Sequence, residues 1–202
     1  MAMELNVEVA AIKAIVMQES QGHPFLENGL PPILYERRHF FELVAKKRAK
    51  VEQSPSGLKR KGSGNKQSQH QNPYPDFPDL CFPHGDNYGP DGLHQYEKLV
   101  RAANLDLEIS LMACSWGGFQ ILGEYYSSGC ATIFEFVNKF ISGTDGQAEI
   151  FIAFMKNMKP DGVKGLQARN WEKVADSYSG SIWRTKNPDY ASNLAKYYDQ
   201  FK

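Results

Sequence analysis

From Leu93 to Phe201 the chain is a succession of short amphipathic segments, each set off by turn or capping residues. That pattern limits the fold to packed helices. The spacing predicts helices over Leu93–Ala103 and over Asp106–Cys114, the second capped by Asp106. A further helix is expected to carry Phe119-Gln120-Ile121-Leu122-Gly123 and the tyrosines after it, and another to run from Thr132 to Ile141. Thr144-Asp145-Gly146-Gln147 reads as a capping box opening a helix through Met158. Asn170 caps Trp171–Tyr178, and Asn187-Pro188 opens a last helix with Ala191, Leu194, Ala195, Tyr198 and Phe201 on its apolar stripe. Nearer the N-terminus, Asn6 is expected to cap a helix reaching Ser20, stopped by Gly22 and Pro24. Pro32 to Glu36 reads as a short extended run, followed by a helix from about His39 to Lys50. The class is therefore mainly α with a small β element near the N-terminus.

Residues 53–92 are rich in Ser, Gly, Pro, Asn and Gln. A loop of that length inside a compact domain is expected to be functional or partly disordered. The 202 residues otherwise read as one domain with chain enough for a core. Lys+Arg and Asp+Glu are both 23, which gives no charge-based case for a nucleic-acid partner. No run approaches the ~18 apolar residues of a membrane span. The first apolar stretch is broken by Lys13, and neither a basic flank nor a cleavage site frames it as a signal peptide. Cys81, Cys114 and Cys130 are odd in number and lack metal-ligand spacing, so reduced structural thiols are expected. Cys114, in an apolar helix with no His nearby in sequence, is a poor nucleophile candidate. The histidines at 23, 39, 70, 84 and 94 show no i,i+3 or i,i+4 pairing with another His or Cys, so neither metal nor cofactor is expected.

Glu19 is the residue with the most chemical content. It follows Ile12, Ile15 and Val16 by seven, four and three positions, on the apolar face and near the C-terminal end of its helix. Desolvation and the negative helix end both favour its neutral form, as a general acid requires. The plain alternative is a half-exposed carboxylate at a helix end. Two other segments would have to join it. Ser115-Trp116-Gly117-Gly118-Phe119-Gln120 pairs glycines, which admit close backbone approach, with an amide suited to sugar hydroxyls and acetamido groups. Asp176-Ser177-Tyr178-Ser179-Gly180 brings a phenol at a helix end. Taken singly, the first is equally a packed junction and Tyr178 a core aromatic.

In this order, Glu19-Ser20-Gln21-Gly22, Ile33-Leu34-Tyr35-Glu36-Arg37, Ser115-Trp116-Gly-Gly-Phe-Gln-Ile-Leu-Gly123 and Tyr178-Ser-Gly180 resemble the N-acetylmuramidase domain of bacteriophage endolysins. That family is related to goose-type lysozymes and lytic transglycosylases. Tyr88-Gly89 and Tyr96-Glu97-Lys98-Leu99 extend the resemblance to nearly the whole chain, while Ser179 departs from the family's usual Asn. The resemblance implies a lysozyme-like fold and a peptidoglycan hydrolase cleaving the bond between N-acetylmuramic acid and N-acetylglucosamine. It makes Glu19 the general acid, with Ser115, Gln120 and Tyr178 toward substrate. Glycoside hydrolysis normally needs a second carboxylate. Glu36 is the candidate, its alternative being an ion pair with Arg37 or Arg38, and Asp86 is the fallback.

The expected partner is bacterial peptidoglycan, met by a monomer without nucleic acid or stable membrane insertion. The chain would be made in the host cytoplasm and reach the wall through a holin or similar route. The basic stretch 46–66 reads as a solvated loop or as an attraction to the anionic envelope. The rival readings are a lytic transglycosylase and a non-catalytic wall-binding protein on the same scaffold.

Overall fold

The computed structural model describes residues 1–52, 72–85 and 88–202. The chain divides into two compact units, Met1–Ile33 with Trp116–Lys202, and Leu34–Ser115. The fold is mainly helical, with a three-stranded sheet of β1 (Ile33–Tyr35), β2 (Cys114–Trp116) and β3 (Ile121–Leu122) in that order.

The first unit is built on α2 (Val9–Ser20) packed along α11 (Tyr190–Phe201). Ala10, Ala11 and Ala14 on α2 and Ala191, Leu194 and Tyr198 on α11 are buried, and the two helices pack closely against one another. The N-terminal expectation needs correcting. A four-residue helix, α1 (Ala2–Leu5), precedes α2, and Asn6 closes it in the left-handed conformation at φ 52° instead of capping α2. Asn tolerates that conformation better than most residues. Glu8 takes the N-cap position without bonding there, because its carboxylate accepts from Tyr198 at 2.7 Å and from Arg169. Val9 is exposed, whereas Ile12 and Ile15 are buried as expected.

Around this pair lie α6 (Ile133–Ile141), α7 (Thr144–Met158), α8 (Pro160–Ala168), α9 (Trp171–Tyr178) and α10 (Trp183–Lys186). Asn170 caps α9 with its side chain as expected, and Thr132, read as the first helical residue, is instead the side-chain cap of α6. The capping box at Thr144 does not form: Gly143 is the N-cap, and Gln147 is 1% exposed and bonded elsewhere. Sequence periodicity passes over α8 because Gly162 and Gly165 depress its helix propensity. They are there for packing. A Cβ on Gly162 would lie 2.9 Å from the Ser177 hydroxyl, and one on Gly165 would lie 3.0 Å from Val174.

The expected helix over residues 119–123 is absent. Trp116 and Ile121 belong to strands β2 and β3, which form a hairpin with Gly117–Gln120 as its turn, and only Gly123–Ser128 coil, as a 3-10 helix. Gly117 at φ 69° and Gln120 at φ 47° both occupy left-handed backbone space, which a continuous helix does not allow. Two of the three strands therefore lie in the middle of the chain, not near its start. Cys114 sits in β2 as well, buried rather than helical, and burial pushes its thiol well up, so it stays protonated.

The second unit packs α3 (Arg37–Glu52), α4 (Leu93–Ala103) and α5 (Leu107–Met112) around Tyr35, Phe40, Leu80 and Leu99. Asp106 caps α5 by accepting from Ile109 N–H at 3.2 Å. The Tyr35 hydroxyl donates to the Leu80 carbonyl at 2.9 Å. Gln95, fully buried on α4, accepts from Tyr35 N–H and donates to the carbonyls of Tyr88 and Pro90, tying strand β1 to the segment before α4. Asp86 and residues 53–66 of the basic stretch lie outside the described residues.

Candidate active site

In the first unit the last turn of α2 carries Glu19 and Ser20. Gln21 and Gly22 then leave the helix in left-handed conformations, φ 53° and 84°, returning their N–H groups to the carbonyls of Met17 and Val16. The Glu19 side chain is directed inward, and burial raises its pKa to about 7. The Tyr190 hydroxyl, donated from the first turn of α11 to Glu19 Oε1, works in the opposite sense and favours the carboxylate. Desolvation prevails. Glu19 in turn pushes the phenols of Tyr178 and Tyr190 further up, after burial has done most of it. A carboxyl group that titrates near neutrality thus sits with two phenols that stay protonated there.

Beside them is the hairpin turn Gly117–Gln120, held by three side chains. Ser20 Oγ donates at 3.0 Å to the Gly118 carbonyl, sharing its hydrogen with the Val16 carbonyl. Gln147 accepts from Gly118 N–H at 2.9 Å and donates to the Pro24 carbonyl at 2.9 Å. Tyr178 donates to the Phe119 carbonyl at 2.6 Å, while Phe119 stacks on Phe151 with 4.1 Å between ring centres. Gly117 cannot be replaced, since a Cβ there would lie 2.5 Å from the Phe140 ring and 2.6 Å from the Gln147 amide oxygen. The Gln120 amide donates to the carbonyls of Gly117 and Pro32. Tyr178 therefore lies near Glu19 and Gln120 sits in the turn that Ser20 and Tyr178 hold, with the donors of both spent on shaping that turn.

Glu36 lies in the second unit, between β1 and α3. It accepts from the Ser115 hydroxyl at 2.9 Å and stands 3.6 Å from His39 Nε2. Arg37 and Arg38, the partners in the alternative ion-pair reading, hydrogen-bond elsewhere, though Arg38 still favours ionised Glu36 through space. Arg37 donates to the carbonyls of Pro78, His84 and Gly85, and Arg38 binds Glu42 at 2.8 Å. Burial raises the Glu36 pKa above the ordinary carboxylate range, with His39 the strongest influence in the other direction and Ser115 next. Ser115 is thus a donor to Glu36 in this structure.

Sequence reasoning missed Tyr190, Gln147 and His39. Tyr190 falls at i−4 from Leu194 and i−8 from Tyr198, so the final helix's apolar stripe can be extended back to it. Gln147 gave no signal, because a polar residue in a helix's first turn reads as a cap. A mostly apolar cavity of about 640 Å³ is lined by Val9, Ile12, Lys13, Val16, Gln147 and Phe201 among others, and Glu19, Gln120 and Tyr178 do not border it.

Replacing Tyr190 with Phe removes the bond that favours ionised Glu19. The Glu19 pKa is expected to rise further, moving any activity limb it controls to higher pH, as a pH–rate comparison of the two proteins would read. A limb that stays in place would show that Glu19 does not control it.

The family model described as Muramidase, N-acetylmuramidase, matches residues 8–202. Among solved structures, the chain is similar to the crystal structure of Burkholderia AP3 phage endolysin, with a TM-score of 0.74 and 26% sequence identity. The match covers 99% of this chain and 68% of that one. A comparison with curated proteins found no match.

Proposed function

The chain belongs to the N-acetylmuramidase family, and on that footing we propose that Glu19 is the proton donor of its glycosidic cleavage, with Glu36 as the second carboxylate. The protein is a glycoside hydrolase acting on peptidoglycan, of the phage-endolysin type. One observation carries the assignment: Glu19 is a buried carboxyl whose pKa is raised to about 7 at a helix end beside a pinned glycine turn. Below that pH it holds a proton to give to the oxygen linking N-acetylmuramic acid to N-acetylglucosamine. The oxocarbenium-like centre that develops then needs a carboxylate to activate water or to attack it. The Ser115 hydroxyl orients Glu36 for that task, and His39 helps keep it ionised despite burial. Ser20, Gln147 and Tyr178 fix the turn that carries Gln120 beside the end of the Glu19 helix.

The reaction class is tested by mass spectrometry of the muropeptides released from purified sacculi. Hydrolysis adds one water per bond cut and leaves a reducing muramic acid end. Products that lack the water and close as anhydro sugars would replace the hydrolase reading with transglycosylation. Intact sacculi would leave only a wall-binding role.

Among the described residues no helix is long and apolar enough to cross a membrane. The protein's action is on the cell wall.

A further inference from the structure

Within the second unit, a cavity of about 150 Å³ is lined by Arg37, Asp79, Tyr88, Gly89, His94 and Lys98. Its charge is unbalanced. Lys98 is 5% exposed, and its ammonium, with three hydrogens to donate, is given one acceptor, the Tyr88 carbonyl at 3.2 Å. The ammonium also lies 5.4 Å from the centre of the Tyr35 ring. Arg37 places its guanidinium on the Phe82 ring and donates to backbone carbonyls, which carry no full charge. The acidic groups nearby are engaged. Asp79 forms a two-pronged pair with Arg101 at 2.6 and 3.3 Å, and Glu97 stands 3.7 Å from His94 Nδ1. Among the described residues, neither Lys98 nor Arg37 has a carboxylate within ion-pair distance.

Burying an ammonium without a directly paired anion is costly, and burial lowers the Lys98 pKa, with the nearby Asp79 carboxylate working in the other direction and Arg37 adding to the lowering. The cavity wall is also shaped closely. Gly89, at φ 70°, lies under the His94 imidazole so nearly that a Cβ would sit 2.7 Å from Nε2. At about 150 Å³ the space admits a small anion such as a carboxylate, met by the ammonium of Lys98, with Arg37 contributing positive potential.

We propose that this cavity is a subsite for a carboxylate of the peptidoglycan stem peptide, with Lys98 as its principal ligand. The inference rests on the peptidoglycan hydrolase reading and extends it from the glycan to the attached peptide. A charge-assisted hydrogen bond of this kind changes affinity by roughly tenfold or more when it is lost.

The test uses soluble glycan strands in two forms, one bearing stem peptides and one stripped of them. Lys98→Met keeps the side chain's length and apolar stem while removing the charge. It is expected to lower the ratio of kcat/KM on peptide-bearing strands to that on stripped strands by at least tenfold, through KM. An unchanged ratio would overturn the subsite. The wild-type rate on stripped strands reports the cleavage chemistry separately, so failure of the Glu19 assignment and failure of the subsite remain distinguishable. A second measurement does not depend on the variant folding. Wild-type protein is titrated with a free stem tetrapeptide, with the same peptide fully amidated, and with inorganic phosphate at fixed ionic strength. Carboxylate-dependent binding that phosphate does not match supports the subsite. Equal binding of the amidated peptide overturns it, and equal binding of phosphate reduces it to an unselective anion pocket.

Discussion

Glu19→Gln is expected to abolish cell-wall lysis while leaving the far-ultraviolet circular dichroism of the protein unchanged. The amide matches the carboxyl in shape and can still accept from Tyr190, but it has no acidic proton to transfer. Loss of general acid catalysis typically costs roughly 10²–10⁴-fold in rate, on the order of 3–5 kcal/mol of barrier. The same substitution should stabilise the protein in alkaline solution. Glu19 has its pKa raised from 4.5 to about 7 by folding, so the folded state holds this proton more tightly than the unfolded chain. Its contribution is fully present below the unfolded pKa and is lost as pH rises through the folded one. At pH 8 the buried carboxylate therefore costs on the order of 3 kcal/mol, which Gln does not incur. Higher thermal stability together with loss of lysis is the signature of a group kept for function. A variant retaining more than a tenth of wild-type activity would remove Glu19 from the role.

Glu36→Gln should also lose activity severely, by roughly 10²–10⁴-fold, if the second carboxylate activates water or attacks the sugar. The Ser115 hydroxyl can still donate to the amide oxygen that this substitution leaves in place of the carboxylate, so the local fold should persist. Ser115→Ala is the milder companion. It removes a bond that favours ionised Glu36, so the acidic limb of activity should move upward without the full loss. If Glu36→Gln turns over at near-normal rates while Asp86→Asn does not, the second carboxylate is Asp86. If neither substitution matters, the single-carboxylate chemistry of a transglycosylase is favoured.

Much of the helical framework could be read from the sequence because it is written locally. Asp106 and Asn170 cap the helices they precede, and the α4 and α9 boundaries follow the apolar spacing. The failures share a physical cause, the override of local propensity by tertiary contact. Ile121 and Leu122 look helical beside Gly123 and the tyrosines, but Pro32, Gln147 and Tyr178 pin the preceding turn and allow a strand. Thr144 and Gln147 match a capping box, yet Gln147 satisfies the backbone of Gly118, Pro24 and Phe140 instead. The arginines adjacent to Glu36 in sequence suggest that they hold it ionised. Arg37 and Arg38 hydrogen-bond to other groups, Arg38 favours ionised Glu36 only through space, and burial decided the direction. Glu19 was legible because its position on one helix face already implies desolvation. Tyr190 was not, because its partner lies 171 residues away.

The pH dependence of kcat/KM tests the central claim most directly, measured on a soluble peptidoglycan oligosaccharide at fixed ionic strength. This ratio reports the free enzyme's ionisations. Activity should be bell-shaped, with the acidic limb set by Glu36 above the ordinary carboxylate range and the alkaline limb falling near pH 7 as Glu19 loses its proton. The alkaline limb should vanish from the residual activity of Glu19→Gln. An alkaline limb that persists unchanged in that variant would mean that another group titrates there, and Glu19 would no longer be the proton donor.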